Sequence, residues 1–187
     1  MLQMRQVASV EEDRRERRDF AARTELPSAF VAVSEYLRRN LDGWRDLVAG
    51  TTATVPDYPF AAVATIRDCI EAARTEHREN LAHIPRRLQV IHTRLASAIQ
   101  GAGPTLLMRT DGFTGECMLE VVTVLERVNR AFPYARGGNT LPGRPDMGLV
   151  STRAFVEDIH ESDFPAFFEA LRHEYGVEPT PDAGPMS

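Results

Sequence analysis

Glu76, Glu79 and His83 recur at steps of three and four residues. On a helix that spacing places all three on one face. A carboxylate and an imidazole so placed can share a metal, provided that other helices supply further ligands. No matching set elsewhere in the chain completes such a site. Glu79 and His83 are therefore expected on a solvated face, with metal ligation as the alternative, and His77 falls on the apolar side of the same helix. Arginine and histidine together offer a second chemistry. Four residues separate Arg78 from His83 and Arg87 from His92, and six separate Arg153 from His160. A guanidinium forks onto phosphate oxygens, and an imidazole exchanges protons near neutral pH.

The arginine–histidine spacing resembles that of the helical dimeric ribonucleases of the HEPN class. The resemblance implies that Arg87 would hold a scissile phosphate and that His92 would serve proton transfer. Leu88 follows Arg87, where that class usually carries a polar residue. Two other groupings could hold an ion. Glu157, Asp158, His160, Glu161 and Asp163 form an acidic knot that could take a divalent cation or could cap the next helix start. Arg136, Gly137, Gly138 and Arg144 make a loop that loosely suits an anion. The chain has no P-loop, no dinucleotide-binding glycine pattern and no nucleophile-elbow motif. Its serines read as helix caps or helix-surface residues. No cofactor is implied.

The background to these groups is an ordinary globular composition. The chain has 187 residues, 43% hydrophobic and 26% charged, enough for one domain with a real core. The net charge of −5 argues against nucleic acid as a partner outside the ribonuclease alternative. All 22 basic residues are arginine. Cys69 and Cys117 have no metal-finger spacing and read as free buried thiols in a reducing compartment. No apolar run is long enough to span a membrane, and residues 1–25 hold no signal-type apolar segment. The expected location is cytoplasmic.

Helices must position these groups. Residues 1–23 read as a charged helical arm with Ser9 and Glu12 at capping-box spacing and few apolar positions. Pro27 opens a helix whose stripe is Phe30, Val33, Leu37, Leu41, Trp44 and Val48. Asp57 and Pro59 open a second, with Phe60, Val63, Ile66, Ile70, Ala73, His77 and Leu81 inward, broken or kinked at Pro85. Leu88, Ile91, Leu95 and Ile99 continue as a third. A minor strand is expected near 104–110, with Asp111-Gly112 as a tight turn. Residues 114–132 fit helix or strand, and four turns of apolar positions favour helix. Pro133 ends it, and 133–148 form a long Pro/Gly loop. Ser151 or Thr152 opens a short helix through His160, and Pro165 opens the last. Residues 177–187 read as a disordered tail.

The expected fold is a mostly α bundle of five to seven helices in a single domain, 24–176. The expected function is a helical assembly or protein–protein interaction subunit without its own catalytic site, associating with itself or another protein through helices. It follows from the charged arm, the long apolar stripes and the lack of a coherent catalytic set. The alternatives are the HEPN-like ribonuclease, and a bundle that binds a small molecule or metal between its helices.

Overall fold

Pro27 in the first turn and the stripe from Phe30 to Trp44 form helix α1, Leu26–Ala49. Gly50 ends it in the left-handed region, φ 69°, where the Thr51 N–H reaches back to the Asp46 carbonyl at 2.8 Å. In this computed structural model, which describes residues 17, 20–101 and 111–177, five further helices follow. They are α2 Phe60–Ala72, α3 Thr75–Gly101, α4 Asp111–Ala135, α5 Met147–Val156 and α6 Pro165–Glu174. No strand occurs among the described residues. The candidate strand at 104–110, nearly all of the charged arm, and residues 178–187 of the expected tail lie outside them. The fold is a mostly α, multi-helix bundle.

Helix α4 is its axis. Met118, Val121, Val122, Leu125, Val128 and Tyr134 are all buried, and α4 touches α1, α3, α5 and α6. A helix enclosed on so many sides is apolar over most of its circumference, and here a polar strip runs through 116, 120, 123 and 127. That is why its valine-rich sequence also reads as a strand. Trp44 is 1% exposed and meets Phe113 edge to face at 6.2 Å. Gly115 makes the contact between α4 and α6 possible. A Cβ there would collide with the backbone of Ala166.

Several boundaries differ from the sequence reading. The helix expected to run from 57 to Pro85 breaks at Ala73, which is extended (ψ 154°). The apolar stripe gives no sign of this break, because it continues on both sides. Arg78 makes the break affordable: its side chain donates to the carbonyls of Ala73 (2.9 Å) and Glu71 (3.3 Å), satisfying the freed end of α2. Pro85, by contrast, lies inside α3. Buried Leu81, Ile84 and Leu88 hold the helix through the one backbone bond the proline forgoes. Pro133 is likewise inside α4, so the Pro/Gly loop is 136–146 and not 133–148. Helix α5 starts earlier than Ser151, because the Asp146 carboxylate caps the Leu149 N–H at 2.9 Å, and it stops before His160, where Asp158 turns into the left-handed region at φ 53°. Phe60 and Val48, placed on inner stripes, are 76% and 53% exposed. Each sits at the end of a helix; Phe60 meets the Tyr58 ring at 4.9 Å and is otherwise open to solvent.

Candidate functional site

Three helices enclose a cleft of about 630 Å³, within the range of small-ligand sites. Each contributes residues at steps of three and four, or their multiples. Helix α3 gives His83, Arg87 and Arg94, α4 gives Glu116, Glu120, Thr123 and Arg127, and α6 gives Ala166, Glu169, Ala170 and His173. The 136–146 loop adds Arg144. That loop is fastened to the end of α6, where the Tyr175 hydroxyl donates to the Pro145 carbonyl at 2.9 Å and the Arg144 guanidinium lies over the Tyr175 ring. Leu119 and Val124 supply an apolar wall.

The arginines of the cleft are not equivalent. Glu120 accepts from both Arg87 (3.0 Å) and Arg94 (2.6 Å), and Glu174 pairs with Arg144. Arg127 has no ion-pair or hydrogen-bond partner among the described residues, although it is only 7% exposed and its Nε is fully buried. Its neighbour on α4, Glu126, is equally buried but is answered by Arg153 at 2.9 Å. Burial lowers the pKa of Arg127, and the positive charges of Arg144, Arg87 and Arg130 lower it further. A buried guanidinium without a counter-charge is costly. Here it faces a cavity.

His83 shares this field. Burial first, then Arg127, Arg87, Arg144 and Arg86, depress its pKa to about 4, and its Nδ1 is buried without a partner among the described residues. The imidazole is therefore neutral at pH 7. In the unfolded chain it would bind a proton below about pH 6.5, so the folded state binds fewer protons between pH 6.5 and 4. Stability contributed by His83 should be present above that window and lost as pH falls through it. Urea denaturation at pH 7 and pH 5 checks this. His83→Gln should flatten the acid-side loss, and an unchanged slope would assign that loss to other groups.

The sequence-derived candidates are distributed unevenly over the structure. Arg87 and His83 line the cleft; Glu79 stands exposed outside it, as does Glu76. His77 is buried edge to face against Tyr134 at 4.9 Å. His92 lies on another side of α3, its Nδ1 3.1 Å from the Tyr36 hydroxyl and its ring 5.3 Å from Tyr58. Within the chain, Arg87 and His92 thus have separate surroundings. The acidic knot is drawn into ion pairs: Glu157 takes Arg38 and Arg153, and Glu161 takes Arg172. Among the described residues, no three His, Cys, Asp or Glu side chains converge as a metal site would require. Cys69 and Cys117 are buried and form no disulfide among the described residues; the Cys69 thiol donates to the Ala22 carbonyl at 2.9 Å, and burial raises the Cys117 thiol to about 12. Of the loosely anion-suited loop, only Arg144 reaches the cleft.

Arg127, Arg94 and Glu120 were not among the sequence candidates. The one signal for Arg127 is its place beside Glu126 among the apolar positions Val124, Leu125 and Val128. The chain matches no protein-family model, no curated protein and no solved structure. No described helix is long and apolar enough to cross a membrane.

Proposed function

We propose that this chain is a helical ligand-binding domain whose cleft between α3, α4 and α6 takes a small anionic molecule. The observation that carries the reading is Arg127, a buried cation that lines the cavity without an ion-pair partner among the described residues. Natural cores pair their buried charges, as Glu126 and Arg153 do. An unpaired one is retained where a ligand completes it, at a cost to the ligand-free protein.

Arg127→Met tests both halves of this statement. The ligand-free variant should be more stable by about 1–3 kcal/mol, the scale of an unsatisfied buried donor. Its melting temperature should no longer respond to the small anions that raise that of the wild type. A variant that is less stable than wild type and still responds to the same anions would remove Arg127 from the function.

Assembly is the second reading. Adjacent Phe155 and Val156 on α5 are 68% and 59% exposed, a cost in water that a partner surface would relieve. Solution mass of the wild type against Phe155→Ser decides it. A monomer in both cases sets self-association aside.

A further inference from the structure

The character of the anion follows from where the charges and donors of the cleft sit. Four arginines line it, and two of its glutamates, Glu120 and Glu174, hold ion pairs with three of them. Glu120 is shared by Arg87 and Arg94, so that trio carries one net positive charge. Arg144 and Glu174 cancel, and Arg127 carries a second net positive charge. The remaining carboxylates, Glu116 and Glu169, are exposed and keep their hydration. The charge left unanswered at the buried end is that of Arg127, and the excess of the Glu120 trio lies at the rim on Arg87 and Arg94, 48% and 38% exposed.

The donors also differ in freedom. Arg127 is fixed by burial, whereas the side chains of Arg87 and Arg144 are 48% and 51% exposed and can exchange a glutamate for a ligand oxygen without loss of a buried contact. Guanidiniums approaching from three elements (α3, α4 and the 136–146 loop) suit a group with three terminal oxygens better than a planar one with two. The anion itself fills a small part of about 630 Å³. Leu119, Val124, Ala166 and Ala170 leave the remainder suited to a partly apolar body.

Resting on the reading of the cleft as an anion receptor, the geometry points to a phosphorylated small molecule as its ligand, with a doubly charged terminal phosphate seated on Arg127 and clamped from the rim by Arg87 and Arg144. The phosphate makes charge-assisted hydrogen bonds only, and no covalent step is involved.

Two probes with the same ring and different anions test this on the full chain: phenyl phosphate and benzoate, titrated calorimetrically at fixed ionic strength and pH 7.5. Phenyl phosphate should bind at least about tenfold more tightly than benzoate, with each rim contact contributing up to roughly that factor. Arg127→Met should abolish its binding, while Arg87→Gln and Arg144→Gln should each weaken it about tenfold. The His83 imidazole gives an independent readout by NMR. A bound dianion offsets the arginines that hold it neutral, so its titration should move toward higher pH in the complex. Circular dichroism of each variant confirms that it is folded. Benzoate binding as tightly as phenyl phosphate, with both lost in Arg127→Met, would overturn the phosphate assignment and leave the anion receptor standing. Binding of neither probe at about 10 mM, far above a functional dissociation constant, would overturn both. Phenyl phosphate binding that survives in folded Arg127→Met would place the phosphate elsewhere and overturn this site.

Discussion

Arg153→Met is expected to destabilise the folded chain by about 3–5 kcal/mol, the cost of stranding a buried charge. Arg153 is the answer to Glu126, whose side chain is 8% exposed, and it also lies 3.7 Å from Glu157. Glu157 in turn accepts from Arg38 on α1, and its backbone carbonyl takes a bond from Arg45. One guanidinium therefore links α4 and α5 within a network that reaches α1. Methionine keeps much of the length and packing but leaves the Glu126 carboxylate alone in the core. Urea denaturation measures the loss, and the melting temperature should fall by roughly 2–4 °C per kcal/mol. The double variant Glu126→Leu, Arg153→Met should recover most of the stability, because it removes both charges together. A single-variant loss below about 1 kcal/mol would mean that Glu126 finds water or another donor.

Trp44→Ala should cost a similar amount, about 3–5 kcal/mol, for a different reason. The indole is 1% exposed and is packed against Phe113. Truncation loses its transfer free energy and leaves a cavity that the backbones around it cannot collapse to fill. The Trp44 Nε1 is buried without a partner among the described residues. Trp44→Phe therefore gives up volume but also relieves a desolvated N–H, and its cost should stay below about 2 kcal/mol. If the two substitutions cost the same, volume is not what Trp44 contributes.

These two effects differ in how far the sequence announces them. Trp44 belongs to a stripe with helical periodicity, and burial of that stripe follows from pattern alone. Nothing in the local sequence links Arg153 to Glu126, which are 27 positions apart. The same contrast holds for the end of the charged arm. Its apolar count suggests weak attachment, yet Arg23 donates to the Gly138 carbonyl at 3.0 Å and lies 3.9 Å over the Tyr134 ring. Contacts of that kind leave no periodic trace.

Legible without the structure are the fold class, the stripe of α1, the Leu88–Ile99 stripe of α3, the preference for helix over 114–132, and the burial of Trp44 and the two thiols. Those follow from hydrophobic burial, which is non-directional and needs only the right residues at helical spacing. Tertiary structure alone decided that Ala73 breaks a continuous stripe while Pro85 does not. It also decided that Arg87 and His92 have separate surroundings, and that His83, Arg87, Arg127 and Arg144 line one cleft. Positions 116, 120, 123 and 127 give α4 one polar face. It becomes a cavity wall only because Gly115 lets α6 close over it, and because the loop carrying Arg144 is tied back by Tyr175. Electrostatic demand is directional and depends on which charges meet, so the unanswered guanidinium of Arg127 could be found only after the chain was folded.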